Sequence, residues 1–362
     1  MTPSPDAIAA VSQRLARFVE AREGEWVGSG PEAVAFVRAG ASALSGGKRL
    51  RARFCLAGWR AVAEADDPAA VPGDDVTAAA AALEVFHAAA LVHDDLIDNS
   101  DTRRGRPAAH RALEAHHARS TWAGSAEAFG RSSAILLGDL LVAWSDDLLE
   151  DGLRTAPCAP AAREVYALMR REVTVGQFLD IAEEAAFITA PDGEHAGRAL
   201  RVASLKSARY SIQHPLLLGA ALAGADAAQS GALSAFGHPL GLAFQLRDDV
   251  LGVFGDSAVT GKPSGDDLRE GKRTVLVAYA RERMDDAARH RFDAQLGDPT
   301  LDAAQIASLQ ETIAGTGALE RVEALIDAYA DEADEALRDA ALAPAAVETL
   351  RGLAQDATAR TA

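Results

Sequence analysis

The sequence predicts an all-α protein. Alanine, leucine, arginine and glutamate dominate it, and alternating β-branched runs are scarce. Apolar residues recur at three- and four-residue steps almost throughout, as in Ile8, Val11, Leu15, Phe18 and Val19. Helices are expected at about 6–22, 31–43, 48–65 and 75–98, with Asp74 and Asp75 as candidate N-caps of the fourth. More follow at about 125–150, 160–187, 195–223, 231–255, 272–290, 301–314, 317–341 and 344–358. The breaks are ordinary turn chemistry: Asp66-Asp67-Pro68, Pro72-Gly73, Ala190-Pro191-Asp192-Gly193 and Lys262-Pro263-Ser264-Gly265. With 49% hydrophobic residues and no linker or low-complexity tract, residues 1–362 are expected to form a single domain.

A formal net charge of −17 argues against a nucleic-acid binder, because a phosphate backbone needs a basic face. An acidic chain that acts on an anionic substrate must gather its cations locally or recruit metal ions. Cys55 and Cys158 stand in unrelated contexts and read as buried thiols of a reducing compartment. The N-terminal Met1-Thr2-Pro3-Ser4-Pro5-Asp6 has neither the basic nor the apolar stretch of a secretory signal. The most apolar run, Ala78 to Val92, is interrupted by Glu84 and His87 and reads as too short and too polar to span a bilayer. A cytoplasmic protein with no transmembrane segment is the expectation.

Two acidic motifs carry the chemistry. On a helix, His87, Leu91, Asp94 and Asp98 form one stripe, so Asp94 and Asp98 project together one turn apart. Like charges at that spacing repel, and at a helix C-terminus they also oppose the macrodipole. A cation between them removes the conflict, and a few hard oxygen ligands suit Mg²⁺. Alone, the pair could equally be a solvated helix end. The second motif, Phe244-Gln245-Leu246-Arg247-Asp248-Asp249, again sets Gln245, Asp248 and Asp249 on one face of an apolar helix. Two such clusters facing each other across a bundle would form a multi-metal site.

Cations gather near the acids. Gly46-Gly47-Lys48-Arg49-Leu50-Arg51 sets a glycine turn before a helix start, with Lys48 and Arg51 expected on one face as an anion seat. Thr102-Arg103-Arg104-Gly105-Arg106-Pro107 reads as a loop whose guanidinium forks suit diphosphate. Lys206 and Ser207 lie mid-helix, upstream of an expected kink at Pro215, and Lys262 and Lys272 flank the glycine-rich loop after the second motif.

From about Gly46 to Ala280 these motifs, in this order and spacing, resemble the trans-isoprenyl diphosphate synthase (polyprenyl synthetase) family. The quoted residues are Gly-Gly-Lys-Arg-Leu-Arg, Asp-Asp-x-x-Asp, Arg-Arg-Gly, Gly-Gln-x-x-Asp at Gly176, Gln177 and Asp180, Lys-Ser, and Phe-Gln-x-x-Asp-Asp. The resemblance implies a helical bundle around a central cavity, usually a homodimer, that elongates an allylic diphosphate with isopentenyl diphosphate. It implies that Lys48, Arg51, His87 and Arg104 hold isopentenyl diphosphate, and that Asp94, Asp98 and Asp248 ligate Mg²⁺. Arg103, Lys206 and Lys262 would bind the allylic diphosphate, with Lys272 helping to close the site. Ser207 and Gln245 would line the ionisation centre, so Arg103, Lys206, Ser207 and Gln245 form the expected catalytic set.

The chain departs from the family at Gly252, where many members have a third aspartate, and in ending Thr-Ala-Arg-Thr-Ala without a basic tail. A class I terpene cyclase would need an Asn-Asp-x-x-Ser-x-x-x-Glu motif, which is absent, and a non-catalytic synthase subunit typically loses the aspartates, which stand here. For product length, Ala89 and Ala90 lie about one turn before Asp94 and are small. Phe86, eight positions before Asp94 or roughly 12 Å along the axis, is the expected floor for a twenty-carbon chain. If Phe86 instead packs sideways into the core, a longer product is expected, its length then set by a facing helix around 132–140.

Overall fold

A computed structural model of the chain describes residues 5–67, 69–255 and 264–358. It is all-α, and the chain divides into two compact units: Met1–Ala162 with Leu218–Gly224, and Arg163–Leu217 with Ala225–Ala362.

In the first unit, α1 (Pro5–Glu25), α2 (Pro31–Ala43) and α3 (Leu50–Asp66) lead to α4 (Asp74–Ile97). After a two-stranded hairpin, β1 (Thr102–Arg103) and β2 (Arg106–Pro107), come α5 (Ala109–Arg119) and α6 (Ala126–Leu153). Helix α4 is the spine. Ala78 to Ala82, Leu83, Val85 and Ala89 are completely buried, and Phe54, Leu137, Leu141 and Leu148 complete the core. Helix α6 approaches α4 closely because glycines face it. A Cβ on Gly138 would lie 2.5 Å from His93 Cε1, and one on Gly152 would press on Ala78 Cβ. His93 Nε2 donates to the Ile135 carbonyl at 3.2 Å, which fixes the ring beside Gly138.

Several expectations change here. The N-cap of α4 is Gly73, and Asp74 and Asp75 sit inside its first turn, where their charge favours the helix dipole. By length and composition α4 could cross a membrane, contrary to the expectation, but 72% of its most apolar window is buried, as in a core helix. Helix α5 was not expected. Its buried positions are His110, Leu113 and His117, so histidines occupy places where the helical pattern calls for aliphatics.

The second unit holds most of α7 (Ala159–Ala186), then α8 (His195–Val202) and a π-helical segment, Ala203–Gln213. Helix α9 (His214–Leu222) spans the boundary, and α10 (Ala227–Phe254), α11 (Asp266–Glu270), α12 (Val275–Glu282) and α13 (Asp286–Gln295) follow. Helices α14 (Ala303–Gly315), α15 (Ala318–Ala336) and α16 (Pro344–Thr358) end the described chain. The core joins Leu246, Val250 and Val253 of α10 to Leu276, Ile313, Val322 and Ile326. The helix expected at 272–290 is two, because Asp285 caps α13 by accepting from Ala288 N. The kink expected at Pro215 is not what shapes the Lys206 region. The helix runs unbroken from α8 through the π segment into α9, and Pro215 follows directly on the wide π register, which is the irregularity near Lys206.

Candidate active site

In the first unit the Gly46-Gly47 turn takes positive φ (78° and 91°), and so does Arg49, at 52°. Arg49 is the N-cap, so α3 starts at Leu50 and Lys48 stands before it on the turn. The expectation that Lys48 and Arg51 share a helical face is therefore corrected. Lys48 is exposed, with its carbonyl accepting from Arg53 Nε at 3.0 Å, while Arg51 is buried in the first turn.

The hairpin is an ordered arginine carrier, not an irregular loop. Arg104 (φ 53°) and Gly105 (φ 70°) both adopt positive φ, as a two-residue hairpin turn of the favoured hand requires. Arg104 lies over Gly47, where a Cβ would come within 3.0 Å of Nη2, and Arg106 Nη2 donates to Ser45 Oγ at 2.9 Å. The result is a dense cationic seat. The His87 imidazole is pushed well below its ordinary range by burial and then by Arg51, Arg104, Arg103 and Arg49. Arg104 is itself pushed down by burial and by Arg103. Glu84, buried on α4, pairs with Arg49 at 3.7 Å and accepts from Ala52 N at 3.0 Å. Arg49 had no expected role, although it sits inside the Gly-Gly-Lys-Arg-Leu-Arg motif.

The expected acidic stripe is present. Asp94 lies in the last turn of α4 and Asp98 is its C-cap, donating its N–H to the Asp94 carbonyl at 2.8 Å. Both carboxylates are partly exposed. Between them Asp95 turns inward, 3% exposed, and takes Arg103 Nε at 2.8 Å and also Nη2, while Asp94 lies 3.9 Å from Arg103. Asp95 thus fixes Arg103, a role the sequence motif alone did not assign.

The second unit supplies the remaining expected residues. Lys206, in the π segment, pairs with Asp180 at 2.5 Å, and Ser207 follows it, partly buried. On α10, Gln245 Nε2 donates to Asp249 Oδ1 at 2.6 Å, which ties its amide to the acidic motif. Asp248 is partly exposed, whereas the buried Asp249 carboxyl is pushed up to about 8 by desolvation, then by Asp267 and Asp248, against Gln245 and Lys272. At Gly252 a Cβ would lie within 2.9 Å of Asp267 Oδ1, so a carboxylate from α11 occupies the space above the missing third aspartate. Lys272 pairs with Glu270 at 2.6 Å and lies 3.6 Å from Asp267. Lys262 and Asp256 lie outside the described residues.

Among the described residues, no group of three or more His, Cys, Asp or Glu side chains is drawn together as a metal cage. The Asp94–Asp98 pair still fits Mg²⁺, which takes one or two carboxylates and completes its shell with water and phosphate oxygens.

A helical fold that joins paired carboxylates to a dense guanidinium seat is suited to polyphosphate esters. Residues 36–313 match the polyprenyl synthetase family, and the chain belongs to that family. It is similar to the geranylgeranyl pyrophosphate synthase of Corynebacterium glutamicum, solved with isoprenyl diphosphate and magnesium. The identity is 40% and the TM-score 0.91, with 97% of this chain and 98% of that one covered. It is 35% identical to a geranylgeranyl diphosphate synthase of Mycobacterium tuberculosis over 80% of this chain and 77% of that protein. It is also 32% identical to a farnesyl diphosphate synthase of Geobacillus stearothermophilus, over 84% and 94%.

Proposed function

We propose that the chain is a magnesium-dependent prenyltransferase. It condenses isopentenyl diphosphate with an allylic diphosphate to give a trans-polyprenyl diphosphate, with geranylgeranyl diphosphate, twenty carbons, as the main product. The observation that carries this reading is α4 itself. His87 lies among four arginines, and Asp94 follows seven residues later on the same stripe. One helix therefore offers a cationic seat for one diphosphate beside carboxylates for a metal-borne second.

In this reading Lys48, Arg51, His87 and Arg104 hold isopentenyl diphosphate. Neutral His87 can hydrogen-bond an incoming phosphate without adding repulsion to its arginine neighbours. Arg103, fixed by Asp95, binds the allylic diphosphate together with Lys206 and Lys262, while Lys272 helps close the site. Asp94, Asp98 and Asp248 would hold magnesium, which when bound would supply charge neutralisation for the departing diphosphate. The cations stabilise the same leaving group as the allylic C–O bond ionises. The isopentenyl double bond adds to the cation, and the proton leaves to the released diphosphate, so no side-chain base is needed. Gln245 acts through Asp249 as support for the acidic motif.

The single-domain organisation over 1–362, a cytoplasmic location and a homodimer belong to the same reading. Ile135 and Leu136, 50% and 61% exposed on α6, support a subunit-facing surface. For product length, the two alanines divide. Ala89 shares a face with His93 and Ala78, four and eleven residues away, and both of these meet glycines of α6. Ala89 therefore packs against α6. Ala90 stands one turn before Asp94, while Phe86, two turns before it and seven residues from His93, borders the face that meets α6; we assign the ruler to Ala90 with Phe86 below it. Phe86→Ala should lengthen the product. An unchanged distribution would return the ruler to a facing helix. Incubation with the allylic diphosphate alone separates the cyclase alternative, which would release hydrocarbon where a synthase gives no elongation.

A further inference from the structure

Helix α7 meets the Lys206 segment along Glu172, Gly176, Asp180 and Glu183, spaced four, four and three residues apart. Glu172 accepts from Arg209 Nη1 at 2.7 Å and lies 2.7 Å from His214 Nε2. Those two residues are five apart, the span of a π-helical hydrogen bond. In an α-helix they would diverge by roughly 140°, so the shared carboxylate suits the π register. At Gly176 the backbones touch: a Cβ there would come within 2.6 Å of the Leu205 carbonyl carbon and 2.7 Å of Lys206 Cα. Helix α10 makes a similar approach through Gly241, whose Cβ would meet Ala208 Cα at 2.7 Å. Glu183 completes the row by pairing with Arg198 at 2.7 Å. The segment is thus held in register at its ends and by close backbone contact in the middle.

Asp180 stands one turn beyond Gly176. Its Oδ2 lies 2.5 Å from Lys206 Nζ, with the two side chains 18% and 22% exposed. The Gly-Gln-x-x-Asp motif thereby has a physical reading: glycine admits the lysine's backbone, and the aspartate four residues later takes its ammonium.

We propose that Asp180 is a positioning residue for Lys206, fixing the ammonium before the allylic diphosphate arrives. A free lysine side chain carries large rotamer entropy, and ordering it in advance removes that cost from the catalytic step. This inference rests on the reading that Lys206 binds the allylic diphosphate.

The test is a double-mutant cycle with Asp180→Asn, Lys206→Gln and the double variant. For each, kcat, the KM of both substrates and the melting temperature are measured. Each single variant should lower kcat about tenfold or more, with the isopentenyl diphosphate KM unchanged. The double should be no worse than Lys206→Gln, and Asp180→Glu should recover part of the loss. Normal kcat in Asp180→Asn overturns the inference, as do losses that multiply in the double variant while Lys206→Gln is impaired. A fully active Lys206→Gln overturns the reading of Lys206 itself, and the inference with it.

Discussion

Replacing Ala89 by phenylalanine should destabilise the first unit, whereas the same change at Ala90 should shorten the product. Ala89 is completely buried on the face of α4 that meets α6, where Gly138 and Gly152 bring the two helices into contact. A phenyl ring has no room there without separating the helices. Overpacking of a well-packed core costs about 1–3 kcal/mol. At about 2–4 °C per kcal/mol for 150–250 residues, the melting temperature should fall by about 2–12 °C. Ala90 is partly exposed and stands one turn before Asp94, so under the proposed ruler a ring there should project beside the growing tail instead of into α6. Its melting temperature should stay near wild type while the product moves toward fifteen carbons. The assay pairs thermal melts with chain-length analysis of the dephosphorylated products. A short product from Ala89→Phe at unchanged stability would refute this division of the two faces, as would an unstable Ala90→Phe with an unchanged product.

Asp94→Ala or Asp248→Ala should abolish turnover in Mg²⁺ while leaving the melting temperature equal or higher, because like-charge repulsion is relieved; near-normal activity would contradict the two-cluster reading. Lys48→Ala and Arg51→Ala should raise the KM of isopentenyl diphosphate about tenfold or more, or 1.5–3 kcal/mol per charge-assisted contact, with little change for the allylic substrate. Equal effects on both substrates would mean that these cations act as a general field. His87 is held neutral by burial and then by its arginines, so its contribution to stability is full above about pH 6.5 and is lost as pH falls below that value toward its lowered folded-state range. Denaturation at pH 7.5 and 5.5 should show a smaller acid loss for His87→Asn than for wild type.

The fold was legible because most helices bury a simple apolar stripe, and α4 carries its motif on one face as the three- and four-residue spacing requires. Helix α5 was hidden because His110 and His117 take core positions that composition reads as polar. The arginine hairpin was hidden because its signal is two positive-φ residues, and Arg104 does not announce one. At the candidate site the motifs marked the residues, and helical spacing already set Asp249 beside Gln245. The roles of Asp95 and Asp180 in holding Arg103 and Lys206 needed packing, and Asp267, outside every motif, had no signal before it was seen to fill the space over Gly252. The placement of Lys48 on a helical face was misjudged because Arg49, a residue without glycine's freedom, takes the left-handed cap and delays the helix to Leu50. No periodicity argument sees the π register of Ala203–Gln213, which packs against the Glu172 carboxylate of α7.

The most direct test of the central claim is product analysis by mass spectrometry after incubating the purified chain with isopentenyl diphosphate, farnesyl diphosphate and Mg²⁺, with and without a chelator. The account predicts geranylgeranyl diphosphate as the main product, and no elongation once the metal is removed. Cyclic hydrocarbon, or no elongation of farnesyl diphosphate, would contradict it.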